Sequence, residues 1–357
     1  MQWTNPNTGS FVWSRTAKDI TLTGATSNSM TNPPVQFSVH LNGSSVATFK
    51  LTAVSGEVKL RFREILEAIL PRRGDTLIST SNSATYGDTV AIQATLDGSS
   101  VTTSSMRCFR GGSDELQPTV NVASYWLTWK PLKVNTWPWA KEFLSCVILS
   151  SSINVNAKVY FADGGNSVIS LASFSSGTVR IGLVNCSPSV IRSSFSNREV
   201  IAYDVYSPSL ITRRFILKPS DRARGREFLF MNSLGALDTV IATGDVSRET
   251  EMDVSSVSIN GDETEIANSA VERFKVQTGG IRERRMIDQW QEFFRASERY
   301  VLLKGDVVRR IVVDSIEPEM TEHKLSGAAF TYHYAKAFTG RFYQENVLGA
   351  FDPSSID

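Results

Sequence analysis

The side chains that could do chemistry are few and scattered. Glu249, Glu251 and Asp253 fall at alternate positions, and Glu317, Glu319 and Glu322 form a second acidic group. Two carboxylates facing each other roughly 5–10 Å apart in a cleft could hydrolyse a glycoside, one as acid and the other as base or nucleophile. Both groups lie in polar, turn-like stretches, which predicts solvated loops. The first lacks the D-x-D-x-D-G spacing of a calcium loop. Of the three histidines, His40 and His333 sit in alternating strand-like runs and His323 in a polar turn. None stands at metal-ligand spacing with another His or Cys. Cys108, Cys146 and Cys186 are far apart and odd in number, which predicts small buried side chains and no disulfide framework. A GxSxG elbow, a P-loop, a dinucleotide GxGxxG and HExxH are all absent. The residues therefore predict no catalytic, metal or cofactor site, and a protein that works through its surfaces.

Two other clusters concern binding. Tyr125, Trp126, Trp129, Trp137 and Trp139 lie close together with Pro131 and Pro138 among them. Exposed, Trp126, Trp129, Trp137 and Trp139 would make a stacking platform for a sugar or a protein partner. Buried, they would join two domains. Arg213, Arg214, Lys218, Arg222, Arg224 and Arg226 surround Pro219 and Gly225. That run predicts a solvated linker or a loop facing a neighbouring subunit, with Arg213, Arg214, Arg222 and Arg224 as candidate contacts. Nucleic acid is not favoured, because 37 basic and 36 acidic side chains nearly cancel over 357 residues.

The elements that would position these groups are mostly strands. Gly, Ser, Thr, Asn and Val are plentiful, as in β-rich chains with many turns. Asn42-Gly43 and Asp97-Gly98 each sit between apolar runs and predict hairpins. Phe62, Ile65, Leu66, Ile69 and Leu70 predict a short helix over 62–70, stopped by Pro71. The longest amphipathic helix is predicted over 281–297. Met286, Ile287, Trp290, Phe293 and Phe294 fall on one face, with Arg282, Arg285, Gln289, Glu292 and Arg295 around the rest. Each of the five apolar side chains contributes roughly 1.5–3 kcal/mol if fully buried, so a sheet must lie beneath them. The outer residues Arg282, Arg285, Glu292 and Arg295 become candidate subunit contacts. The expected architecture is mainly β and multi-domain, with β-sandwiches and antiparallel sheets. It has an N-terminal unit over 1–112, a Trp-rich connector and sandwich over 113–217, and a C-terminal β domain over 218–357 that holds the long helix. The start, MQWTNPNTGS, has no basic lead or apolar core, and the longest apolar runs fall short of a membrane span. No secretion and no membrane insertion are expected, and synthesis in a reducing compartment is.

Two C-terminal stretches carry a resemblance. One is EFLFMNSLGALDTVIATG, from Glu227 to Gly244. The other runs from VQTGG at Val276 through the helix and VVRRIVVDSIEPEM into LSGAAFTYHYAKAF, ending at Phe338. Together they resemble tail-associated proteins encoded by phages and prophages of Bacteroidota. Those proteins share the NSLG…DT…TG turn and strand, the TG before a helix, and a closing F-x-Y-x-Y-A strand. Asp306 to Val313 lacks the proline found in the corresponding strand of that family. The resemblance implies a virion component of the distal-tail, tail-tip or baseplate kind, assembled in the host cytoplasm. It also implies partners: copies of itself in a ring, other tail proteins and, on the sugar-platform reading, a host-surface glycan.

Overall fold

The computed structural model describes residues 1–5, 7, 11–79, 83–112, 124–149, 151–219, 225–259, 262–281, 283–303, 307–319 and 327–335; of 252–259, 262–270, 318 and 319 it describes the backbone only. His323, Glu322, Arg222, Arg224 and Arg282 lie outside the described residues.

The N-terminal part contains β1 (Gln2–Thr4), β2 (Val12–Trp13), β3 (Ile20–Thr23), β4 (Pro34–Leu41), β5 (Ser44–Thr52) and β6 (Val58–Leu60). It continues with α1 (Phe62–Ile69), α2 (Gly74–Ile78), β7 (Ser83–Tyr86), β8 (Asp88–Leu96), β9 (Ser99–Thr102) and β10 (Met106–Phe109). One sheet runs β1-β3-β6 and a second β2-β10-β8-β4-β5, with β9 on β8. Their inner faces meet over Ile20, Leu22, Phe37, Val90 and Ile92, with Phe62 and Leu66 of α1 filling the end. Both expected hairpins form, each with a left-handed residue before its glycine: Asn42 at φ 52° and Asp97 at φ 47°. The helix expected over 62–70 ends at Ile69. Leu70 is extended at ψ 129°, as the residue before a proline should be. The run from Val101 to Phe109 is two strands, not one. Thr103 breaks it by accepting the Ile92 N–H on its own hydroxyl at 2.9 Å.

The middle part contains β11 (Lys133–Thr136), β12 (Phe143–Ile148), β13 (Ile153–Phe161), β14 (Asn166–Phe174) and β15 (Arg180–Asn185). After α3 (Pro188–Ser193) come β16 (Val200–Ser207) and β17 (Leu210–Leu217). A five-stranded sheet, β11-β17-β16-β13-β14, packs on a three-stranded one, β12-β15-β7. The third strand of that small sheet comes from the N-terminal part: Tyr86 pairs with Ile181 and Ser83 with Val184. The expected basic loop at Arg213 and Arg214 is instead the middle of β17. Its apolar residues Leu210 and Phe215 supply the buried side of the strand.

The C-terminal part contains β18 (Arg226–Met231), β19 (Leu237–Ala242), β20 (Val246–Ile259), β21 (Asp262–Gln277), α4 (Arg284–Arg295), β22 (Arg299–Leu303), β23 (Val307–Glu319) and β24 (Gly327–Tyr334). They form one antiparallel sheet in the order β19-β18-β22-β23-β24-β21-β20. α4 is shorter than the 281–297 expected. Its N-cap Glu283 and C-cap Ala296 are extended, at ψ 137° and 143°. Glu249, Glu251 and Asp253 lie on β20, and Glu317 and Glu319 on β23, so the acidic groups expected in loops are in strands.

These sheets stack in layers. Phe228 and Phe230 of β18 point to α4, while Leu229 between them points to the small sheet beside Phe143 and Leu183. The small sheet is thus covered on both faces, which is why every residue of β12 is buried. A strand in that position needs a continuous apolar run, not an alternating one.

Candidate functional site

The four tryptophans do not share one face. Trp126 is 2 % exposed, sits in the sandwich core and donates its indole N–H to the Ile211 carbonyl at 2.7 Å. Trp129 is half-buried against the 232–235 turn, 3.3 Å from Ser233 Oγ. Trp137 and Trp139 stack on each other with centroids 6.1 Å apart, and Trp139 lies against Gly225, where a Cβ would come within 2.7 Å of its ring. Only this last pair keeps a platform-like arrangement.

The candidate contact residues divide in the same way. Arg213 is 6 % exposed and donates Nη1–H to the Lys130 carbonyl. Burial pushes its guanidinium pKa down to about 10, with Asp238 nearby acting to raise it. Arg214 makes two bonds to Asp204, at 2.6 and 2.7 Å. Glu292 accepts the Ser233 N–H at 2.8 Å, and Gln289 is buried, donating to the Thr239 carbonyl at 2.7 Å. Gln289 and Glu292 therefore anchor α4 to the 232–242 hairpin instead of forming a solvated face. Arg285 and Arg295 are exposed.

The densest polar arrangement is one that no sequence motif marks. Lys130, Glu142 and Asp238 meet where the Trp-rich segment, the start of β12 and β19 come together. Their side chains are 1 %, 2 % and 0 % exposed. Lys130 Nζ is 2.5 Å from Glu142 Oε2 and 3.3 Å from Asp238 Oδ1. Thr136 Oγ1 donates to Glu142 Oε1 at 2.9 Å. Asp238 Oδ2 accepts from Thr128 Oγ1 at 2.7 Å and Asn232 Nδ2 at 3.3 Å, and Oδ1 accepts the Thr239 N–H at 3.1 Å. Burial alone would lower the pKa of the Lys130 ammonium, but Glu142 and Asp238 outweigh it and raise it. Hydrogen bonds hold the segments that carry Lys130 and Glu142: Leu127 N–H bonds to Ser145 O at 2.8 Å, laying the segment along β12, and Glu142 N–H bonds to Ser187 Oγ at 2.9 Å. The one available sequence signal was a set of charges, Lys130 and Glu142 with Lys133 and Lys141, in a stretch rich in aromatic and apolar side chains.

Beside this cluster Glu227 is 2 % exposed. Its Oε1 accepts the Lys141 N–H at 2.6 Å, and its Oε2 has no hydrogen-bond partner. Burial drives its pKa well above 4.5, with the Lys141 N–H pulling the other way. A carboxyl raised in the folded state stabilises it fully below the unfolded pKa. That contribution is lost as pH rises from about 4.5 through the folded value, at about 1.4 kcal/mol per pH unit crossed. The Glu227→Gln protein should therefore lose less stability between pH 5 and 8 than the parent. Melting curves at the two pH values measure this; equal pH dependence in both proteins contradicts it.

Acid–base pairs elsewhere are satisfied locally. The cleft between the N- and C-terminal parts is lined by Arg73, Asp88, Arg110 and Glu67 among others. Arg73 pairs with Asp88 at 2.7 Å and Arg110 with Glu67 at 3.6 Å. His333 Nδ1 lies 2.9 Å from Asp314 Oδ2. Among the described residues no three His, Cys, Asp or Glu side chains could hold a metal ion, and no helix is long and apolar enough to cross a membrane. Burial raises the thiols of Cys108 and Cys146 to about 12, far from the thiolate form that reacts.

No protein-family model and no curated protein matches the chain. Among solved structures it is similar to a chain from the tail of an empty gene transfer agent (GTA) particle of C6 symmetry. That match has 11 % identity and a TM-score of 0.25, covering 34 % of this chain and 96 % of the other. It is also similar to a chain from the virion of a native GTA particle, at 9 % identity and a TM-score of 0.24 over the same shares. Likeness this low carries no argument about fold or role.

Proposed function

We propose that the protein is a structural subunit of a phage-type tail, placed at the tip, baseplate or distal-tail ring, where it contacts copies of itself and other tail proteins. The observation that carries this reading is the β20–β21 ribbon. β20 pairs with β21 along its whole length, from Val246–Val276 to Ile259–Asp262, but β21 pairs with β24 only from Arg273 to Gln277. Beyond Arg273 the two strands continue without a third strand among the described residues, for about 35 Å at 3.3 Å per residue. At the base of this ribbon, residues 246–251 of the edge strand β20 are exposed at every position. A two-stranded ribbon is marginal alone, and its edge is a template for another chain. An arm of this kind suits a subunit held by its neighbours. The resemblance of Glu227–Gly244 and Val276–Phe338 to Bacteroidota phage tail proteins points the same way.

Arg285 and Arg295, exposed on α4, are the contacts assigned to a neighbouring subunit. Asymmetric contacts that close on rotation make rings. Negative-stain imaging and solution mass of the purified protein should show rings or assembly onto tails, and a strict monomer that binds glycans would overturn the reading. The Arg285→Glu protein should keep the parent melting temperature within a degree or two and lose assembly. Normal assembly by that variant removes Arg285 from the interface.

A further inference from the structure

Lys130, Glu142 and Asp238 place an amine, a proton carrier and a carboxyl in one dry site, each held by its own hydrogen bonds. We propose that Lys130 and Asp238 condense to an isopeptide cross-link, with Glu142 carrying the protons. The resting form is the Lys130 ammonium between two carboxylates. One Nζ proton passes to Glu142 Oε2, 2.5 Å away, and on to Asp238 Oδ1, giving a free amine and a neutral carboxyl. The nitrogen lone pair then attacks Cγ of Asp238, and the C=O electron pair moves onto Oδ2. That oxygen already receives Thr128 Oγ1–H and Asn232 Nδ2–H, donors aimed where negative charge develops. As the electron pair returns to reform C=O, Oδ1 takes a second Nζ proton through Glu142 and leaves as water. One hydrogen stays on the amide nitrogen, the ammonium and carboxylate charges cancel, and Glu142 ends as it began. Nothing is oxidised or reduced.

Asp238 is assigned as the acyl partner, and not the nearer Glu142, because of the donors. Asp238 Oδ2 has two neutral side-chain donors, whereas Glu142 Oε1 has the Thr136 hydroxyl alone. In water this condensation runs the wrong way. Here the site is closed, which keeps the expelled water from returning. The reacting nitrogen is held 3.3 Å from Oδ1, a fixed geometry of the kind worth effective molarities of about 10⁵–10⁸ M. The bond would join the Trp-rich segment to β19, a covalent tie between two layers in a chain whose three cysteines are all free.

Intact mass of the full-length protein, unfolded in denaturant, reads the result directly. The expected mass is one water below the sequence mass, and digestion should release a branched peptide joining Lys130 to Asp238. Glu142→Gln should return the full sequence mass. Asp238→Asn should lose ammonia in place of water if Nζ attacks that side chain. A parent protein at full sequence mass after prolonged incubation in the folded state overturns the proposal. So does a branch at Glu142 instead of Asp238, and so does a Glu142→Gln protein that still loses water. If Glu142→Gln fails to fold, the parent mass and branch position still decide.

Discussion

Replacing Phe293 by alanine is expected to destabilise the C-terminal part of the fold by about 3–5 kcal/mol, the range for truncating a fully buried aromatic side chain. Phe293 is 0 % exposed and lies at the centre of the contact between α4 and the sheet. Its ring centroid is 5.4 Å from Phe228, 5.6 Å from Phe230, 5.5 Å from Trp290 and 5.5 Å from Phe330, mostly in tilted or edge-on arrangements. Those geometries add to area burial because positive ring edges meet negative faces. No neighbour can close the gap without leaving its own partners, so the cavity term stays. Trp290→Ala, on the same face with three ring partners, should act in the same direction. Urea unfolding followed by near-ultraviolet circular dichroism measures the loss. A fall of less than about 1 kcal/mol for Phe293→Ala would show that α4 rests on the sheet without being needed by it.

The second large effect is expected from Lys130→Ala, compared with parent protein in which Lys130 and Asp238 are still an ion pair and not yet joined. Removing the ammonium leaves Glu142 and Asp238 facing each other at 2 % and 0 % exposure. Breaking one partner of a buried ion pair costs about 3–5 kcal/mol, because the remaining charge is uncompensated. Here two carboxylates remain, with the buried Arg213 guanidinium near Asp238. The Lys130→Met/Glu142→Leu/Asp238→Leu protein should be far less damaged than the single variant, since an apolar cluster of similar volume removes the desolvation cost altogether. Denaturation midpoints of the single and triple variants at pH 8 test both statements. A single variant as stable as the parent at pH 8 would mean that the cluster is reached by water.

The alternating strands were legible because each has one buried and one wet face. β4, β8 and β13 show this in their burial, and so does the aromatic stripe of α4. β12 and β17 were not legible for opposite reasons. β12 is sandwiched between layers, so it has no wet face and no period of two. β17 carries Arg213 and Arg214 in mid-strand, and consecutive arginines look like a solvated loop until Asp204 and the Lys130 carbonyl are placed beside them. The cluster of Lys130, Glu142 and Asp238 was invisible for a simpler reason. Each residue is an ordinary charge in its own segment, and only the stacking of β12 against β19 makes them neighbours. Of the residues expected to make subunit contacts, sequence spacing could not separate Arg285 and Arg295 from Glu292. The 232–242 hairpin, which occupies Glu292, comes from a distant part of the chain.

The pairing of β7 with β15 has a consequence in time. Tyr86 and its partner Ile181 are separated by about 95 residues of synthesis, roughly 5–20 s at ordinary translation rates. During that interval β7 has no sheet to join, and its neighbours α2 and β8 must hold it near its final place or leave it free. When β15 does arrive, closing so long a loop costs entropy before any contact rewards it. The small central sheet should therefore complete late, after the β8–β9 and β13–β14 hairpins that can form as soon as they are made. A ribosome that pauses between the two strands would lengthen the interval in which the unfinished sheet exposes an open edge to other nascent chains.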